Sequence, residues 1–191
     1  IVNKYGYDLF YASVLDIYNY GEKLVRKSLE KIPDGKYSGF GQMDSNGVDE
    51  GKVKFKASIE VKGSDLILDF TEAPKQQNGP INSPLPSTVS KARVAFSMMA
   101  GNGEQPNEGF FRPLTVKTKK GSMFNPVSPA PCFLNGWPGL QVIELIYKLL
   151  SDKLPEACPA SSGGCLIGAV WWGIRNKDGE PWADGAPHPV G

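Results

Sequence analysis

Apolar residues first recur at helical spacing and then switch to strict alternation, and this switch separates two kinds of element at the start of the chain. Within residues 5–32, one helical face carries Phe10, Val14, Ile17, Leu24 and Ser28. Asp8 near the start and Lys27 near the end suit the dipole of a helix. Pro33 and Gly35 then stop the pattern. The spacing therefore predicts one long helix over residues 5–32.

The β-rich part of the chain is predicted over residues 36–71. In the segment 52–61 every second side chain is apolar, which is typical of a strand with one buried and one wet face: Val53, Phe55, Ala57, Ile59 and Val61. Turn-forming residues follow at 62–65, and a second strand over 66–71 completes a β-hairpin. A further strand is expected over 36–43. These strands predict an antiparallel sheet.

The remainder, residues 72–191, mixes helices and strands with connecting loops rich in proline and glycine. Helices are predicted over 87–100 and 139–153, and strands over 114–118 and 166–174. Ser87 or Ser90 is expected to cap the first of these helices. Helices that segregate from runs of strands, without regular βαβ alternation, indicate an α+β fold. We expect an antiparallel sheet with a long N-terminal helix and further packed helices, in a single globular segment over residues 1–191.

Composition and charge narrow the classes of function. The 21 Lys and Arg against 20 Asp and Glu leave a formal net charge of +1, so no clustered surplus of cations predicts binding to nucleic acid or to an acidic membrane. The longest apolar stretch, near 140–150, is too short and too interrupted to span a bilayer. Three cysteines are too few for a disulfide framework, which favours a reducing, cytoplasmic setting. A start at Ile1 and a loop-like end lead us to expect a piece of a longer protein.

Candidate chemistry is concentrated in polar loops. The chain has one histidine, His188, no C-x-x-C pair and no glycine-rich phosphate loop, so neither a metal site nor a nucleotide site is predicted within it. Asp69 lies among apolar strand residues, where an ionised side chain needs a partner or solvent. The amides and the guanidinium that follow could orient a ligand: Gln77, Asn82, Asn107 and Arg112. The alternative is that they stabilise turns and cap helices.

Several short fragments stand in a recognisable order: Ile32-Pro33-Asp34-Gly35-Lys36-Tyr37, Asp69-Phe70-Thr71, Gln77-Asn78-Gly79-Pro80-Ile81-Asn82, Pro106-Asn107-Glu108-Gly109, Phe111-Arg112-Pro113, Lys120-Gly121-Ser122, Asn125-Pro126 and Pro129-Ala130-Pro131. Each fragment is weak alone, but their order and intervals make the set specific. Together they resemble the hydantoinase B family over most of residues 5–164.

The resemblance implies a segment of the B-type subunit of an ATP-dependent enzyme that opens a cyclic amide such as a hydantoin or 5-oxoproline. Ketone carboxylation, as in acetone and acetophenone carboxylases, is the alternative reaction in this group. ATP and a divalent metal are expected in the full complex but not in this segment. The nucleotide would be held by a hydantoinase A-type partner subunit, the substrate would be a small molecule, and the isolated chain is expected to be inactive.

The resemblance also selects six residues as candidates that line or shape the active-site region: Asp69, Thr71, Gln77, Asn82, Asn107 and Arg112. No individual catalytic role is assigned to any of them, and no residue is expected to bind metal. The rival hypothesis is a non-catalytic module that contacts neighbouring subunits through its apolar helices and the pair Trp171-Trp172.

Overall fold

The computed structural model describes residues 1–101, 103–133, 135–158 and 170–185. The predicted single helix over residues 5–32 is wrong in its bounds. A one-turn helix α1 (Val2–Tyr5) is separated from the long helix α2 (Tyr7–Leu29) by Gly6. Gly6 has a φ of 82°, a left-handed conformation that interrupts the helical hydrogen bonds and that glycine adopts at little cost. The long N-terminal helix itself is confirmed.

The sheet contains four strands in the order β1-β2-β3-β4: β1 (Gly35–Met43), β2 (Val53–Lys62), β3 (Asp65–Asp69) and β4 (Leu114–Lys117). The first three strands are antiparallel, with Tyr37 opposite Ile59 and Lys62 opposite Asp65. The alternation in β2 is confirmed, because all five predicted inward residues, from Val53 to Val61, are buried. The α+β class is confirmed as well.

The fourth strand departs from the predicted antiparallel arrangement. β4 runs parallel to β3, with Leu66 opposite Leu114 and Asp69 opposite Lys117. Parallel neighbours need a crossover connection, and helix α3 (Leu85–Ala100) supplies it. The sequence has no regular βαβ alternation because the fold contains a single β3-α3-β4 unit in this sheet, and one such unit forms no repeating pattern.

Helix α3 starts at Leu85, two residues before the predicted range. Its N-cap is Pro84, and no side chain caps it, so the expected cap at Ser87 or Ser90 is wrong. Pro86 lies in the first turn, where the missing N–H has no intrahelical partner to lose. The helix buries Phe96 and Met99.

Helix α4 (Gly136–Leu150) corresponds to the helix predicted over 139–153, and it packs between α3 and β1. It approaches β1 closely at Gly39, where Leu145 and Leu149 lie against the space that a side chain would fill. In the core beneath, the ring of Phe124 contacts the rings of Phe55 and Phe70 at centroid distances of 4.9 and 5.1 Å.

The last described strands form a separate hairpin of β5 (Val170–Ile174) and β6 (Pro181–Gly185). β5 matches part of the strand predicted over 166–174, whereas β6 was not predicted. Residues 166–169, His188 and the side chains of Trp171 and Trp172 lie outside the described residues. None of the helices in the described part combines the length and apolar character that a bilayer crossing requires.

Candidate functional site

Asp69 and Thr71 form a hydrogen-bonded pair at the end of β3. The Asp69 Oδ1 atom accepts hydrogen bonds from the backbone N–H of Thr71 at 2.8 Å and from its hydroxyl at 2.6 Å. Burial acts to raise the pKa of Asp69, but the two Thr71 hydrogen bonds and the charges of Lys117 and Lys36 outweigh it, and the pKa lies below its ordinary value. Asp69 is therefore a carboxylate that shapes the entry to the loop at residues 71–84.

The lowered pKa of Asp69 predicts a pH-dependent contribution to stability. Because the folded-state pKa lies below the unfolded value, the contribution is present above the ordinary value of 3.8 and is lost as the pH falls through the folded-state pKa. Asp69→Asn should lower the free energy of unfolding near pH 7 by about 1 kcal/mol, the difference between hydrogen bonds to charged and to neutral groups. Urea unfolding at several pH values measures it.

The pH dependence separates this effect from a general loss of packing. The Asp69→Asn and unsubstituted proteins should converge in stability below the folded-state pKa. Glu60→Gln, at an exposed position of β2, is the control and should leave stability unchanged. A deficit of Asp69→Asn that stays constant down to the lowest pH would contradict the assignment.

Gln77 and Asn82 are brought together in the loop between β3 and α3. The Asn82 side chain is fully buried. Its Oδ1 atom accepts from the N–H of Gln77 at 2.7 Å, and its Nδ2 atom donates to the carbonyl oxygens of Gln77, Gly79 and Pro131 at 2.9, 3.2 and 2.8 Å. Asn82 thus ties its own loop to the proline-rich segment before α4.

A second layer of amides surrounds this loop. Buried Asn46 donates to Asp49 Oδ2 at 2.8 Å and to Gln77 Oε1 at 3.3 Å, and its own Oδ1 accepts from two N–H groups of its turn. Asn78 donates to the same Asp49 carboxylate. Gly79 passes so close to the carbonyl of Asn46 that a Cβ would overlap it. The loops at 44–52 and 71–84 are therefore packed as one unit, and sequence reasoning missed Asn46 and Asp49.

Asn107 and Arg112 flank a single 3₁₀ turn (Glu108–Phe111) and both face α2. Asn107 caps the turn by accepting from Gly109 N–H at 2.9 Å, and its Nδ2 atom lies 3.4 Å from the Ile17 carbonyl oxygen. The Arg112 guanidinium donates to Asn19 Oδ1 and to Glu22 Oε2, each at 2.9 Å. The turn is in this way attached to the middle of the N-terminal helix.

Glu22 on α2 is the acceptor that holds this contact. Hydrogen bonds from Arg112 and then from Arg26 lower the pKa of Glu22, so the carboxylate stays ionised between two guanidinium groups. Arg112 is thus neutralised within the chain. An arginine in such a loop can bind the carboxylate of a ligand with two hydrogen bonds. In this chain Glu22 competes with any such ligand for the Arg112 guanidinium.

The six predicted residues fall into three groups: Asp69 with Thr71, Gln77 with Asn82, and Asn107 with Arg112. Hydrogen bonds join the two members of the first group and of the second group, whereas Asn107 and Arg112 share only the 3₁₀ turn that they flank. Across the described ranges, no hydrogen bond joins one group to another. Most of the polar atoms in these groups bind the protein's own backbone. The arrangement can hold loops in fixed positions, which is the role expected of residues that shape a site.

A groove of about 970 Å³ runs along the outer face of α3 beside the 3₁₀ turn. Its walls are mostly apolar, with Val94, Met98 and Phe111 among them, and Arg93 supplies its main cationic group. Arg93 makes a two-pronged ion pair with Glu108 at 3.0 and 3.3 Å and stacks over Phe111 at 4.5 Å from the ring centroid. Sequence reasoning missed Arg93, because its partner lies 15 residues away across a loop.

The described residues do not fit a resident metal ion. Within residues 1–101, 103–133, 135–158 and 170–185, no group of three or more His, Cys, Asp or Glu side chains is placed to hold one. No chemical step is therefore assigned to a metal held by this part of the chain.

Comparisons with known proteins identify relatives that are longer than this chain. A protein named as the B-type subunit of a D-/L-hydantoinase from Pseudomonas sp. (strain NS671) is 33% identical over 179 residues, which cover 87% of this chain and 30% of the relative. The beta chain of the caprolactamase of Pseudomonas jessenii is 27% identical over 85% of this chain and 28% of its own length. The chain thus spans about 30% of the length of these relatives.

Two solved structures share the fold. The ATP-dependent caprolactamase of Pseudomonas jessenii matches 94% of this chain and 31% of its own, with a TM-score of 0.78 and 26% identity. A nucleotide-free acetone carboxylase matches 97% of this chain and 28% of its own, with a TM-score of 0.73 and 16% identity, which shows likeness of fold alone. The hydantoinase B/oxoprolinase family profile matches residues 1–191. The chain belongs to the hydantoinase B/oxoprolinase family.

Proposed function

We propose that this chain is part of the B-type subunit of an ATP-dependent enzyme that hydrolyses cyclic amides. The observation that carries the proposal is the match to the B-type hydantoinase relative at 33% identity over 87% of the chain. The similarity to an ATP-dependent caprolactamase in both sequence and structure supports it, because a caprolactam, a hydantoin and 5-oxoproline all contain a cyclic amide.

The contribution of this chain is to position loops. Asn82 is buried with four hydrogen bonds to backbone groups, and Arg112 is bound to Glu22 and Asn19. Side chains held in this way are rigid, and catalytic sites depend on such fixed supports. The six candidates, from Asp69 to Arg112, are proposed to shape the active-site region of the full subunit from these three groups.

The full enzyme is proposed to contain further components. ATP would be held by a hydantoinase A-type partner subunit, and a divalent metal would be bound outside the described residues. The substrate would be a small molecule, the assembly would be cytoplasmic, and the chain alone would be inactive. A ketone carboxylase is the weaker candidate, because the acetone carboxylase shares the fold at only 16% identity.

The test uses the full-length subunit that contains this chain, produced together with its A-type partner. Ring opening of hydantoin, 5-oxoproline and caprolactam is measured with and without ATP, beside carboxylation of acetone in the presence of bicarbonate. We expect ATP-dependent opening of a cyclic amide that needs both subunits and that chelation of divalent metal abolishes. Carboxylation of acetone without opening of any cyclic amide would contradict the hydrolase proposal.

Arg112 offers a sharper test within that assembly. Arg112→Ala removes the two hydrogen bonds that the Arg112 guanidinium donates to α2, and turnover should fall about tenfold because the loop is held less firmly in its position. Stability should fall by about 1 kcal/mol or less, since the pair is partly exposed.

Arg26→Ala is the matched control for Arg112→Ala. Arg26 binds the same Glu22 carboxylate, but its hydrogen bonds go to α2 itself and to the β2-β3 turn rather than to the 3₁₀ turn. We expect it to cost similar stability and leave turnover unchanged. Equal effects of the two substitutions on turnover would remove Arg112 from the proposed site.

A further inference from the structure

The apolar face of α2 continues well beyond the part that is buried. In the second half of the helix, Gly21, Val25 and Leu29 are buried against the body of the protein. At helical spacing before Gly21, the same face carries Val14, Phe10 and Tyr7. Phe10 is 36% exposed and Tyr7 is 64% exposed. One continuous face is therefore covered at one end and open at the other.

The open end of α2 has few contacts to support it. Every residue from 1 to 13 is exposed, and attachment to the 3₁₀ turn begins only near Ile17 and Tyr18. Helices shorter than about 12–15 residues are marginal in water, and most helical stability in proteins comes from packing of one face. A covering surface would supply that packing.

The composition of the open face indicates what kind of surface covers it. Tyr11 lies beside the stripe formed by Tyr7, Phe10 and Val14, at a position that carries a charged residue in a two-stranded coiled coil. An aromatic residue there widens the apolar face to the breadth typical of a helix that packs on a globular body. Asp8 and Asp16 lie on other sides of the helix, so the face itself carries no charge. A second copy of the same helix would leave the Tyr11 ring partly uncovered.

The relatives are long enough to contain a further globular part that could cover this face. This chain corresponds to about 30% of their length, so a full-length subunit contains roughly twice as much polypeptide again as the matched segment. We propose that the face formed by Tyr7, Phe10, Tyr11 and Val14 is an intramolecular docking surface for the part of the full-length B-type subunit outside residues 1–191. The inference rests on the proposed function only in taking the chain as a segment of such a subunit. The occupant is an apolar surface that offers hydrogen-bond acceptors to the tyrosine hydroxyls at its edge.

A photo-cross-linking experiment on the full-length subunit tests the proposal. Phe10 is replaced by p-benzoylphenylalanine, and Leu9, its exposed neighbour on another side of the helix, is replaced in the same way as the matched control. We expect several-fold more cross-linking from position 10 than from position 9. The product should keep the mass of one subunit, and its cross-linked peptide should come from outside residues 1–191.

The other outcomes are equally distinct. A cross-linked product of twice the subunit mass would assign the face to a second copy of the subunit, and a cross-link to the A-type partner would assign it to that partner. Equal cross-linking yields from positions 9 and 10 would mean that nothing covers the face. Each of these three results would overturn the proposal. Hydrogen exchange on the same protein is a second readout, in which amides of residues 7–17 should be protected like those of residues 21–29. A subunit that cross-links as expected but opens no cyclic amide would refute the proposed function and leave the docking surface intact.

Discussion

Asn82→Ala is expected to lower the free energy of unfolding by about 3 kcal/mol, one of the two largest effects of a single substitution predicted for this protein. The Asn82 side chain is fully buried and exchanges four hydrogen bonds with backbone groups of Gln77, Gly79 and Pro131. Truncation leaves a donor and several acceptors buried without partners, and each costs about 1–3 kcal/mol where water cannot replace the amide. Urea unfolding followed by circular dichroism measures the loss.

Two further variants show that the effect belongs to the buried amide. Asn78→Ala removes an exposed amide that binds the Asp49 carboxylate, and we expect a cost of less than about 1 kcal/mol. Asn82→Asp places a carboxylate against three carbonyl oxygens, so its destabilisation should be severe at pH 7 and smaller at low pH, where the acid is protonated and can donate. A cost for Asn82→Ala no greater than that of Asn78→Ala would contradict the bridging role.

Gly109→Ala is expected to detach the 3₁₀ turn from α2 and to cost about 3 kcal/mol, the upper end of the usual range for overpacking. A Cβ at Gly109 would overlap the carbonyl oxygen of Tyr18, which is backbone of α2 and cannot move without shifting the helix. The contact is tight from the other side as well, because Gly21 of α2 faces Asn107 and Phe110. The measurement is unfolding stability, together with hydrogen exchange along α2.

The control for Gly109→Ala is Gly35→Ala at the start of β1. A Cβ at Gly35 would lie 3.5 Å from its nearest neighbour, which is ordinary van der Waals contact, so its cost should be small. Faster exchange in α2 near Tyr18 is expected for Gly109→Ala but not for Gly35→Ala. If the two variants unfold at the same denaturant concentration, the close approach of turn and helix does not contribute to stability.

The three groups of predicted residues share one physical property, which is that their polar atoms hold the chain to itself. Asp69 orders the start of its loop, Asn82 ties that loop to the segment before α4, and Arg112 ties the 3₁₀ turn to α2. Both interpretations of the sequence, ligand-orienting amides and loop-stabilising amides, used the same residue types. Only their hydrogen-bond partners show that the second interpretation describes the contacts in this chain.

Local periodicity was sufficient for most of the secondary structure. The alternation over residues 52–61 identified β2 and its buried face, because a strand exposes its side chains to opposite sides with a period of two. The short turn before Asp65 identified the β2-β3 hairpin, since antiparallel neighbours can be joined by few residues. The family was also recognisable, from ordered loop fragments such as Gln77-Asn78-Gly79-Pro80-Ile81-Asn82.

The amino-acid sequence by itself therefore determined the α+β class, the strand faces, the approximate helices and the family. The tertiary structure alone decided that β4 joins β3 in parallel, that Gly6 divides the first helix, and that Arg112 is bound to Glu22 on α2. Contacts such as that between Glu22 and Arg112 join residues 90 positions apart in the chain. Periodicity reports only on neighbours within a turn or a strand, so the partners of long-range contacts become known only when the chain is folded.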